Sequence, residues 1–152
     1  MTAKTFGEIE KIWSNVEGIK KLSDRVVGIG PFGVGLDGLL TWIPGVGLAY
    51  TVGAAGMLFM NAWRAKASGG TLARMAAYLA VDAATTEAFI IGSAVDFFFP
   101  GHLMAAKALQ KDIETTHWVE ASERDAKASG DHDRHVAAMK AERKRRLVYL
   151  LD

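Results

Sequence analysis

The chain has no cysteine, which removes disulfides, thiolate metal sites and cysteine nucleophiles from consideration. It also lacks a dominant charge. Eighteen basic residues face seventeen acidic ones for a net charge of +1, so nothing argues for electrostatic attraction to nucleic acid. Few windows alternate polar and apolar residues with a period of two, and strands are therefore not expected. The opening MTAKTFGEIEKIW carries no apolar leader segment and has an acid by Glu8, which points to a cytoplasmic N-terminus. Proline occurs only three times, as Pro31, Pro44 and Pro100, and each marks a break between apolar stretches.

What the chain does have is a charge-free run of 26 residues from Gly38 to Trp63. A straight spanning helix needs about 20 predominantly apolar residues. Here Ile43-Pro44-Gly45 interrupts the run near one end, with Gly47 just beyond, so a bend at Pro44, Gly45 and Gly47 is expected. Residues 1–25 hold five basic and four acidic side chains, and residues 110–152 hold nine of each. The 84 residues between them carry only Arg64, Lys66, Arg74 and Lys107 against Asp37, Asp82, Glu87 and Asp96. The pattern divides the chain into an amphipathic N-terminal segment (1–25), an apolar domain (26–118) and a charged, partly helical tail (119–152).

Ile9, Ile12, Trp13, Val16 and Ile19 recur at helical spacing, which predicts a helix near 6–23. Helices are expected at 36–43 and 47–66, joined at Pro44-Gly45. Ser68-Gly69-Gly70-Thr71 reads as a turn, with Thr71 as N-cap of a helix from Leu72 to about Ala88. LMAAKALQKDIE continues as helix after Pro100-Gly101, Ser122–Asp133 reads as a mobile polar turn, and His135–Leu150 as a last helix. The fold class expected is all-α.

An internal repeat appears at an offset of 45, pairing Asp37 with Asp82, Thr41 with Thr86, Gly47 with Gly92 and Ala49 with Ala94. It predicts two related helical hairpins packed together. The loop between them carries Arg64, Lys66 and Arg74 without an acid. If each hairpin enters the membrane and returns, every basic segment stays on the cytoplasmic side. Re-entrant or shallow hairpins are thus favoured over full spans.

The motif GLDGLLTWIPGVG at residues 35–47 resembles the opening of an uncharacterised microbial family known as domain of unknown function 4112. Arg74-Met75 followed by Asp82 is similar to that family's second segment, and Gly92 to Asp96 resembles its close, so the resemblance covers roughly 20–114. The departures are Leu48 where the family tends to carry an acid, Tyr78 where it tends to carry Asn, and Phe89-Ile90-Ile91-Gly92 in place of a second proline motif. The resemblance implies an architecture and no particular activity.

Asp37, Asp82, Glu87 and Asp96 are acids in apolar surroundings, where an ionised carboxylate pairs with a cation, turns inward or marks an ion path. Arg74 lies eight residues before Asp82 on the same helix face and is their candidate partner, with Lys107 a second; Asp37 is alternatively a cap for a helix beginning at Gly38. The glycines match no phosphate-binding fingerprint, and close helix packing explains them better, Ala49 with Gly53 and Thr51 with Ala55 being small residues four apart. His132 and His135 lie in DHDRH, better read as a solvated turn than as a metal site. Trp13, Trp63 and Trp118 stand at polar–apolar boundaries, as interfacial anchors or as core. No catalytic arrangement, cofactor or metal site is argued by any spacing.

The expectation is a small helical protein of a bacterial inner membrane with both termini cytoplasmic. It would serve as a scaffolding, lipid-organising or partner-binding module without catalysis, with the lipid bilayer and a second copy or another protein as partners. A small oligomeric channel using its intramembrane carboxylates is the alternative, and a soluble helical protein with an apolar core a further one.

Overall fold

The computed structural model describes residues 1–27, 46–89 and 101–152; for 22–27, 46–51 and 85–89 it describes the backbone alone. Among the described residues six helices and two short strands follow in order: α1 (Phe6–Val27), α2 (Val46–Arg64), α3 (Gly69–Phe89), α4 (Gly101–Glu114), β1 (Thr116–Val119), α5 (Glu123–Ser129), α6 (Asp131–Ala141) and β2 (Arg146–Tyr149).

Helix α1 opens with a reciprocal cap. The Thr5 hydroxyl accepts the Glu8 N–H at 3.2 Å, and the Glu8 carboxylate accepts the Lys4 N–H at 2.6 Å. Ile9, Ile12, Val16 and Ile19 form its buried stripe, as their spacing predicts. Helix α4 is the hub of the bundle and packs against α1, α2 and α3, most extensively against α3. It can do so because its inward stripe combines Ala105 and Ala106, which let neighbours approach closely, with Leu109 and Ile113. Leu58, Ala62 and Ala65 from the α2 side and Met75 from α3 complete this core, together with Ala3 and Leu150. Each large, fully buried side chain among them contributes roughly 1.5–3 kcal/mol relative to exposure.

The junction of α3 and α4 depends on a missing side chain. A Cβ on Gly101 would collide with the Asp82 Cβ and lie 2.5 Å from the Tyr78 carbonyl oxygen. Only glycine lets the start of α4 come this close. By contrast, a Cβ on Gly53 or Gly56 would meet nothing within 4 Å. Helix packing is expected from the sequence at Gly53 and Gly56, where no neighbour comes close, and the tight approach falls instead at Gly101, which the sequence does not single out.

The tail departs from an all-α reading. β1 and β2 pair in parallel, Thr116 opposite Arg146 through Val119 opposite Tyr149, and α5 and α6 form the crossover that parallel strands require. The last helix ends at Ala141 rather than continuing to Leu150. Arg143 takes a left-handed φ of 55° there. Four consecutive cations, Arg143 to Arg146, would repel one another along a helix, whereas Val148 and Tyr149 favour extended backbone. The stretch expected to be a mobile turn contains α5, capped by the Ser122 side chain on the Asp125 N–H and closed by left-handed Gly130. The α3 cap is also shifted. Ser68, not Thr71, is the acceptor, its hydroxyl receiving the Thr71 N–H at 3.3 Å, and the helix starts at Gly69.

Candidate functional site

Helix α2 presents two apolar faces. Leu58, Asn61, Ala62 and the following Ala65 are buried on one side. On the other, Val52, Met57, Met60 and Trp63 are 62%, 51%, 55% and 69% exposed, and Gly53 and Gly56 lie between them. At about 100° per residue the six outward positions cover an arc of roughly 140°, and none carries a charge. A helix that meets water normally bears charged or polar side chains there. Helix α3 continues the theme with exposed Ala73, Ala76, Ala77, Ala80, Val81 and Ala84. Arg74, in the second turn of α3, is the cation on that arc. Apart from Arg74, the exposed positions of these two faces carry no charge up to Ala84.

The turn itself is tied down by a polar network that no sequence spacing revealed. Asp112, 9% exposed on α4, accepts the Ser68 N–H at 3.1 Å, the Ser68 hydroxyl at 2.9 Å and an Arg146 N–H at 2.8 Å. Arg146 also donates to the Thr116 hydroxyl and the Lys66 carbonyl, and its guanidinium lies 5.8 Å from the centre of the Trp118 ring. Burial pulls the Arg146 pKa down and the Asp112 carboxylate opposes that pull. Lys66, held at a left-handed φ of 47°, aims its ammonium at the carbonyl oxygens of Tyr149, Leu150 and Asp152. These partners are 30 to 86 residues apart in sequence, and no local periodicity encodes such pairings.

Of the acids singled out in the sequence, Asp82 is the one whose side chain is described. Its Oδ2 lies 2.5 Å from His102 Nδ1, and its Oδ1 accepts the Gly101 N–H at 3.3 Å. Asp82 therefore anchors the start of α4. Arg74 stays outside this cluster, because eight helical residues separate the two by about 12 Å along the axis. It is exposed and enters no ion pair among the described residues. Lys107 is exposed on α4. Asp37, Asp96, Pro44 and Gly45 lie outside the described residues, as does the side chain of Glu87; Gly47 falls in the first turn of α2. Each repeat pair has one member outside the described residues, so the pairing of hairpins stays an expectation.

The histidines are less solvated than DHDRH suggested. His132 Nδ1 is 3.0 Å from the Tyr149 hydroxyl, and His117 and His135 each lie 6.1 Å from a ring of this group, while Glu142 holds His117 Nδ1 at 2.9 Å. No group of three histidine or acidic side chains suited to a metal ion occurs among the described residues. Of the three boundary tryptophans, Trp13 donates to Glu114 and Trp118 to the Ile113 carbonyl, both half-buried, and Trp63 stands exposed. Among the described residues no helix is long and apolar enough to cross a membrane, so the full-span alternative finds no carrier there.

A family model described as a domain of unknown function (DUF4112) matches residues 12–113. The chain belongs to this family. The resemblance carried by residues 35–47 is thus shown, over a span that begins within α1 and ends within the last turn of α4. The DUF4112 region contains the hub helix, the uncharged faces and Asp112. The β1–α5–α6–β2 tail lies beyond it and is joined to it through Arg146 and Lys66. No curated protein and no solved structure matches the chain.

Proposed function

We propose that this protein is a membrane-seated helical module of a bacterial inner membrane, which lays its α2–α3 hairpin into one leaflet and presents its tail to the cytoplasm as a scaffold for lipids or partners. The observation that carries this reading is the outward arc of α2, where Val52, Met57, Met60 and Trp63 are exposed with no charge among them. From Val52 to Trp63 the arc is about 16 Å long. That is roughly half of a 30 Å hydrocarbon core, a depth suited to shallow insertion rather than crossing. Trp63, exposed at the end of the arc and beside Arg64, is of the residue type that anchors at an interface, which supports this reading. The role asks for no catalysis.

The rival reading, a channel that runs through buried carboxylates, gains nothing from Asp82, since both of its oxygens are already engaged by His102 and Gly101. The test is fractionation of cells producing the full chain, followed by flotation of the purified protein with phospholipid vesicles. The protein is expected in the membrane fraction, resistant to a carbonate wash, and to float with vesicles. A monodisperse monomer that needs no detergent and ignores vesicles would overturn the proposal. Reporter fusions at Met1 and Asp152 are expected to report the cytoplasm from both ends.

A further inference from the structure

The cations of the hairpin are gathered at one end of its uncharged surface. The Ala3 N–H donates to the Arg64 carbonyl at 2.8 Å, which brings Lys4 beside the C-terminal end of α2. After the four intervening residues 65–68 the chain enters α3, whose outward arc bears Arg74. Among the described residues Glu8 is the acid that faces this group, its pKa lowered first by the Lys4 N–H and further by the charges of Arg64 and Lys4. Lys66 is spent on the carbonyls of Tyr149, Leu150 and Asp152. Among the described residues Arg74 has no ion-pair partner, while Lys4 and Arg64 share the charge of Glu8, which leaves the three cations with a net charge of two. Beyond Arg74, the exposed positions as far as Ala84 are alanine and valine.

An apolar surface with free cations confined to its boundary is complementary to a leaflet whose headgroups are anionic. We infer that the seated hairpin selects anionic phospholipid, with Arg74 set against headgroup phosphate and Arg64 and Lys4 flanking it. The inference rests on the membrane-seated reading and adds the lipid class. An arginine matches phosphate oxygens bidentately. Each cation held at the surface strengthens binding to an anionic leaflet roughly fivefold, and salt weakens it.

The experiment is flotation of the full chain with vesicles of phosphatidylcholine alone and of phosphatidylcholine mixed equally with phosphatidylglycerol, for the native protein, Arg74→Gln and Arg74→Lys. Arg74 is exposed, so all three are expected to melt alike. The native protein is expected to bind the mixed vesicles roughly 25-fold more tightly than the neutral ones, two uncompensated cations acting together. Arg74→Gln should lose about fivefold on mixed vesicles and nothing on neutral ones, and Arg74→Lys should keep most of the preference. Equal binding of the native protein to both compositions overturns the headgroup inference and leaves the membrane reading standing. An equal loss by Arg74→Gln on both compositions also overturns it. Binding to neither vesicle overturns both readings.

Discussion

Helices α2 and α6 both show a broad face to the outside, and they dress it differently. α6 buries none of its residues, and its exposed positions include Asp133, Arg134 and Lys140. It packs lightly on the sheet through His132 and His135, and its charges go to water. α2 buries a full stripe and still leaves four large apolar side chains outside. One chain thus contains a water-facing helix at α6 and departs from that pattern at α2. Composition alone cannot separate an apolar core face from an apolar outer face, whereas the position of the surrounding helices can.

The sharpest way to break this comparison is to cut equally on the two faces of α2. Leu58→Ala removes a fully buried side chain beside α4 and should cost about 3 kcal/mol of folding stability in denaturant titration. Met60→Ser, two residues on, should change stability by less than about 0.5 kcal/mol and instead weaken vesicle binding roughly tenfold. Similar stability losses at both sites would mean that the outer face is packed after all. At the seam between hairpin and tail, Arg146→Ala leaves the Asp112 carboxylate without its cation and should cost roughly 2–3 kcal/mol, less than a fully buried pair because Arg146 is partly exposed. Gly101→Ala forces α3 and α4 apart and pulls His102 away from Asp82; it should cost about 2 kcal/mol, read by thermal melting.

The smallest effect expected is acidic. Gln110 and then Lys20 hydrogen-bond the Glu17 carboxylate and lower its pKa. A carboxylate held lower in the folded state contributes stability that is complete above its ordinary range and is lost as pH falls through the folded value. Gln110→Ala should therefore lower stability slightly at neutral pH, and that difference from the native protein should vanish as pH falls through the folded value of Glu17.

The helices were legible because their signals are local. The stripe from Ile9 to Ile19 located α1, the charge-free run located α2, and Ser68-Gly69-Gly70-Thr71 located the turn into α3. The strands were not, because four residues each of THWV and RLVY carry little periodicity and are held by a partner thirty positions away. The acids divided in the same way. Asp82 was legible as an acid needing a partner, but the sequence offered the cations Arg74 and Lys107 for it, while the close approach at Gly101 delivered His102. Asp112 gave no signal at all: it sits in QKDIE like any solvent-facing acid, and its importance arises from Ser68 and Arg146, which folding brings to it.

Lys66, in its left-handed turn, shares one ammonium among three carbonyls near the end of the chain. Together with Arg146, that side chain ties the tail to the α2–α3 turn, and the two are expected to open as one unit. The amides of β2 are therefore expected to exchange with solvent no faster than those of the α2–α3 turn, since Leu150 is shared with the core around α4. A disturbance of the hairpin's surroundings is then expected to register at β2 as a change in backbone protection.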